Sequence, residues 1–80
     1  MRDKGTIWTD NSKVGYDYWV KHYEVGSKYG IEHNGRVSKL TIRKHGEKEN
    51  LVNYDRGWDI PVPNNDEVRG AYAIILEKYN

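Results

Sequence analysis

The sequence predicts an α+β fold: a small antiparallel sheet of three to four strands with one C-terminal helix packed on one face. Three patterns carry that expectation. From Gly15 to Val25, aromatic and β-branched residues alternate, with Tyr16, Tyr18, Val20 and His22 on one side and Asp17, Trp19, Lys21 and Tyr23 on the other. Asn34-Gly35 then supplies the strongest short-range turn signal, since both residues tolerate positive φ. Near the C-terminus, Val68, Ala71, Tyr72, Ile75, Leu76 and Tyr79 recur at the spacing of one α-helical face.

The remaining elements fall around these. Gly5-Thr6-Ile7-Trp8-Thr9 reads as an opening strand closed by Asp10-Asn11-Ser12, a cluster that favours a turn. Arg36 to Lys44 forms the partner strand, with Ser38, Leu40 and Ile42 on one face and Val37, Lys39, Thr41 and Arg43 on the other. His45-Gly46-Glu47-Lys48 makes the next turn, and Asn50 to Tyr54 another strand. Pro61 and Pro63 forbid regular ladder pairing and predict an extended connector. Asn64 caps the helix, with Glu67 three residues on in the manner of a capping box, and Gly70 weakens it by about 1 kcal/mol relative to Ala. The core is then Tyr18, Val20, Leu40 and Ile42 against Val68, Tyr72, Ile75 and Tyr79.

Eighty residues suffice for one domain, spanning 1–80, and a chain this short buries only about 60% of its unfolded surface. Seven Tyr and three Trp against no Phe mean that nearly every large aromatic has a polar tip needing water or a partner. With no cysteine, neither disulfides nor thiolate metal sites staple the fold. No apolar run approaches the roughly 18 residues a membrane helix requires, and the N-terminus leads into no apolar signal region. The expectation is a cytoplasmic protein with no membrane contact and no cofactor.

The net charge of +1 is unevenly spread. Residues 20–48 hold seven cations against three acids, and residues 49–80 hold three against six. Opposite charges brought together within the fold account for this more simply than a polyanion on one face.

The motifs Tyr29-Gly30-Ile31, Gly35-Arg36-Val37-Ser38-Lys39-Leu40 and Val52-Asn53-Tyr54-Asp55-Arg56-Gly57-Trp58-Asp59, with Lys21, Ser27 and the terminal Lys78-Tyr79-Asn80, resemble a family of small proteins of Gram-positive bacteria and their phages classed as a domain of unknown function. The resemblance covers the chain from about Gly15 onward. It implies one compact α+β domain in a bacterial or phage setting, and brings no ligand or catalytic residue.

Several constellations invite chemistry. Asp55 and Asp59 flank Trp58 as paired carboxylates would, with Arg56 placed to tune one of them. The structural reading is preferred: Asp55-Arg56-Gly57 is a turn in which the aspartate bonds backbone amides, Gly57 supplies an unusual φ, and Trp58 packs under the helix. His22, His33 and His45 stand eleven and twelve residues apart, which matches no compact metal motif. Gly26-Ser27-Lys28-Tyr29-Gly30 lacks the spacing of a phosphate loop and precedes no helix.

The strongest candidate site is the uncovered sheet face, which displays Trp19, Lys21 and Tyr23 beside Lys39, Thr41 and Arg43. Exposed Trp, Tyr and Arg anchor protein interfaces. Cations interleaved with aromatics also suit single-stranded nucleic acid, where stacking contributes roughly 1–3 kcal/mol per base. The sequence thus predicts a non-enzymatic module that binds a protein partner or a second copy of itself, with nucleic-acid binding as the alternative.

Overall fold

The structure, a computed structural model, describes residues 1–9 and 13–80. The turn expected at Asp10-Asn11-Ser12 lies outside the described residues. Among those described, five strands succeed one another: β1 (Arg2–Trp8), β2 (Gly15–His22), β3 (Val37–Lys44), β4 (Asn50–Asp55) and β5 (Trp58–Ile60). Each pairs antiparallel with the next, so the order across the sheet is the order along the chain. One helix, Asp66–Tyr79, crosses a single face.

That is one strand more than the upper end of the three to four that the sequence predicts. The fifth is three residues long, held between a turn and Pro61, too short for its alternation to register. Two further boundaries differ by three residues. β1 begins at Arg2 and not Gly5, and β2 ends at His22, three residues before Val25.

The core is the helix-facing side of the sheet. Tyr16, Tyr18 and Val20 of β2, Leu40 and Ile42 of β3, and Val52 and Tyr54 of β4 pack under Val68, Ala71, Ile75 and Tyr79. Tyr72 is only partly buried and sits at the margin. Val37, placed on the open face by simple alternation, is fully buried. The reason is a bulge: Lys21 pairs with Lys39, but His22 pairs with Val37, so Ser38 is the extra residue and the alternation breaks there.

The tyrosines meet their polar requirement within the fold. Tyr16 donates to Glu67 at 2.8 Å, Tyr54 to the Tyr29 carbonyl at 2.8 Å and Tyr72 to Glu32 at 2.7 Å. Tyr79 donates to Asp3 at 3.0 Å, with the Tyr18 hydroxyl 3.1 Å away. The Tyr16 and Tyr79 bonds tie the helix to β1 and β2, and the Tyr72 bond ties it to the connection between β2 and β3.

The turn expected at Asn34-Gly35 closes the link between β2 and β3. Residues 23–36 form a long connection whose last part, Ile31–Asn34, is a left-handed turn with Glu32, His33 and Asn34 at φ 58°, 61° and 68°. Asn34 uses its tolerance of positive φ, whereas Gly35 is extended. Left-handed backbone costs roughly 1–2 kcal/mol per L-residue. Burial of Ile31, the Tyr72–Glu32 bond and the Asn80 side chain, which accepts from the Val37 amide at 3.0 Å, offset that cost. A Cβ on Gly30 would collide with the Gly35 backbone, so the two segments close only around a glycine.

The helix starts one residue later than its capping pattern predicts. Asn65, not Asn64, accepts from the Val68 amide at 3.1 Å, and the Asn65 amide donates to the Pro63 carbonyl at 2.8 Å.

Candidate functional site

The open face is organised in cross-strand rows. Because opposed residues in an antiparallel pair share a face, the register sets Arg2, Lys21 and Lys39 side by side on β1, β2 and β3, with Asp55 of β4 ending the row. The next row is Lys4, Trp19, Thr41 and Asn53, and the third is Thr6, Asp17 and Arg43. Four of the five predicted binding residues, Trp19, Lys21, Lys39 and Arg43, are therefore brought together by strand pairing. Tyr23 lies just beyond β2, held by its amide bond to the Arg36 carbonyl at 3.0 Å.

Arg2 and Lys4 join this face and were missed, because the sequence reading starts the first strand at Gly5. Period-two counting back from Thr6 and Trp8 would have found them.

Two aromatics of the face, Trp19 and Tyr23, are each covered by a cation. The Arg43 guanidinium lies 5.0 Å from the Trp19 ring centroid, and its Nε donates to Asn50 at 2.6 Å. Lys21 Nζ lies 5.6 Å from the Tyr23 centroid, and this ammonium holds the Tyr23 phenol below its ordinary pKa. Trp19 and Tyr23 remain 42% and 43% exposed, with a cation over one face of each ring.

The acids nearby are spoken for. Asp55 pairs with Lys39 at 3.7 Å and with Arg56 at 3.6 Å. Asp17 accepts from the Thr6 hydroxyl at 2.6 Å and lies 2.9 Å from His45 Nδ1. The Thr6 hydrogen bond, reinforced by His45, holds the Asp17 carboxyl below its usual range despite partial burial.

The segment Asp55, Arg56, Gly57, Trp58 and Asp59 forms the β4–β5 hairpin. Arg56, not Gly57, takes the left-handed conformation, at φ 58°, and its amide donates to the Ser38 carbonyl at 2.9 Å. Asp55 meets cationic side chains where bonds to backbone amides were expected. Asp59 accepts from Asn53 Nδ2 at 3.0 Å. The two carboxylates thus have separate partners. Trp58 stands edge-on to Tyr54, 5.0 Å between centroids, and tilted to Tyr72 at 6.0 Å. It is on the helix side as expected, but half exposed.

The histidines go to three places. His22 is tilted against Tyr79 at 4.9 Å, His33 lies in the left-handed turn, and His45 sits edge-on to Trp8 at 5.2 Å. Among the described residues no three His, Asp or Glu side chains gather in a metal-binding cluster, and no helix is long and apolar enough to cross a membrane.

Fold and face together define a small α+β domain: an antiparallel meander covered by one helix on one side and carrying a basic, aromatic surface on the other. The whole chain, residues 1–80, matches one family model, described as Domain of unknown function (DUF7678), and belongs to that family. No curated protein gives a significant match, and no solved structure does.

Proposed function

We propose that this protein is a non-enzymatic binding module, an accessory protein of a bacterium or its phage working in the cytoplasm, and that its open sheet face takes an acidic surface of a protein partner. The observation that carries this is the row Arg2, Lys21, Lys39. Like charges directly opposite each other destabilise a sheet, and among the described residues only the last of the three has a carboxylate beside it. An arrangement that weakens the free protein is explained by an anionic partner that relieves it.

Nucleic acid satisfies the same charge, and the three-cation row is what favours it as a second reading. The aromatics favour protein. A base stacking on Trp19 or Tyr23 has to compete with Arg43 or Lys21, each of which lies over one face of its ring. A protein partner instead meets ring edges and cations together. A second copy of this chain is a less fitting occupant, because two such basic faces repel.

Fluorescence anisotropy with a labelled hexaglutamate peptide and with labelled single-stranded DNA and RNA, at low and physiological salt, tests the choice. The proposal expects the acidic peptide to bind and compete for the face. Tighter binding of the oligonucleotides, with affinity falling steeply as salt releases counterions, puts the second reading first. No binding of either ligand at low salt counts against both.

A further inference from the structure

A second surface, independent of the open face, lies along the free edge of β1. Strand β1 is at the edge of the sheet. The amide of Thr9 bonds inward to Val14, and the Met1 carbonyl accepts inward from His22. Odd-numbered residues of this ladder therefore face β2, and by the alternation of antiparallel bonding the backbone groups of Arg2, Lys4, Thr6 and Trp8 point outward.

The two halves of this edge are treated differently. Exposed edges are normally blunted by charge, and the first half follows that rule: it carries Arg2, Asp3 and Lys4, and the Asp3 carboxylate accepts from the outward Lys4 amide at 2.9 Å. The second half, Thr6-Ile7-Trp8, has no charge. Among the described residues no hydrogen-bond partner is found for the outward amides of Thr6 and Trp8.

Beside this unblunted half runs a groove of 480 Å³ between β1 and the first half of the helix. Its walls include Ile7, Trp8, Tyr16 and Ile74, with Trp8 50% and Ile74 51% exposed. Gly70 lies in the groove, and a Cβ built on it would meet nothing within 4 Å. The glycine therefore weakens the helix without serving any packing inside this chain. It leaves room for something else to approach. Asp66 and Glu67 line the groove and, among the described residues, no cation does.

We infer that this groove binds an extended peptide segment of another protein, which adds as a sixth strand to Thr6–Trp8, places an aliphatic side chain over Gly70 and sets a Lys or Arg against Asp66 and Glu67. Main-chain bonds to a free sheet edge supply affinity, and the groove and its acids supply the preference for an aliphatic and basic sequence. The charge preference is opposite to that of the open face, so the two surfaces take different ligands.

The test is an amide chemical-shift titration of the full chain with a capped Lys-Val-Lys-Val-Lys peptide, and in parallel with Glu-Val-Glu-Val-Glu. The basic peptide is expected to move Thr6 to Thr9 and Asp66 to Ile74, and to slow hydrogen exchange at the Thr6 and Trp8 amides. Gly70→Leu, whose side chain enters open space and leaves the fold intact, is expected to weaken binding at least tenfold. Asp66→Asn is expected to weaken it by about twofold to fivefold, the range of an exposed ion pair. Absence of shifts at millimolar peptide, shifts without protection of Thr6 and Trp8, or equal binding of the acidic peptide overturns the inference. So does concentration-dependent shifting of the groove without peptide, with a dimer by light scattering, which assigns the groove to a second copy.

Discussion

Removing the middle cation of the basic row should stabilise the free protein, and should do so most at low salt. Lys21 stands directly between Arg2 and Lys39. In Lys21→Met an unbranched stem is kept and the charge is lost. Two cations about 7 Å apart in water repel by about 0.6 kcal/mol before screening. At 0.01 M ionic strength the long Debye length leaves about 0.9 kcal/mol for the two pairs, and at 1 M almost nothing remains. For 80 residues the unfolding entropy near the midpoint is about 0.17 kcal/mol per kelvin, so 0.9 kcal/mol corresponds to about 5 °C. Loss of the Lys21 cation over Tyr23 takes back part of this. The expected result, by thermal melts followed with circular dichroism, is a Tm raised by about 2–5 °C at 0.01 M salt, with the advantage gone at 1 M. A variant less stable than wild type at low salt, or a difference indifferent to salt, refutes the reasoning: the row would then be no strain for a partner to relieve.

Three further outcomes follow from the packing and the titrating groups. Ile75→Ala empties a site that is 1% exposed under the sheet and is expected to cost about 2–5 kcal/mol by urea denaturation; under 1 kcal/mol would mean the helix is not seated as described. The two glycines should respond oppositely: Gly70→Ala gains up to about 1 kcal/mol, while Gly30→Ala, whose Cβ would strike the Gly35 backbone, fails to fold or melts far below wild type. Asp17, lowered by the Thr6 hydrogen bond and His45, and Asp3, lowered by the Lys4 amide and Tyr79, have depressed folded pKa values. Their contribution is present above the ordinary carboxylate pKa and is lost as pH falls below about 4, so melts between pH 2 and 6 should flatten in Asp17→Asn. Tyr16, Tyr72 and Tyr79 are raised, chiefly by burial. Their contribution is complete below the ordinary tyrosine pKa and declines as pH rises above about 10, which melts from pH 9 to 12 will show.

What the sequence disclosed and what it hid have physical reasons. The alternation of β2, the Leu40–Ile42 half of β3 and the helical stripe from Val68 to Tyr79 were legible because each buries one face of a regular element, and burial imposes the period. The open face was legible for the same reason, as the complement of the buried one: Trp19, Lys21, Lys39 and Arg43 follow once Tyr18, Val20, Leu40 and Ile42 point inward. Val37 was misplaced because a one-residue bulge reverses every side chain beyond it. The Ile31–Asn34 turn was hidden because its left-handed residues are not glycines, and its support comes from Tyr72 and Asn80, about forty residues and more away along the chain. Strand β5 had only three residues with which to show itself. The groove beside β1 had no sequence signature beyond the helix-weakening Gly70, whose meaning depends on the open space beside it.

The central claim is that the basic, aromatic sheet face is the surface that meets an acidic partner. The most direct measurement is a residue-resolved amide chemical-shift titration of the full chain with hexaglutamate peptide at low and physiological salt, repeated on a Lys21→Met, Lys39→Met double variant. The account predicts shifts centred on Trp19, Lys21, Tyr23, Lys39 and Arg43, strongly reduced in the variant while its fold is retained. Shifts that avoid these residues, or that persist unchanged in the variant, would contradict it.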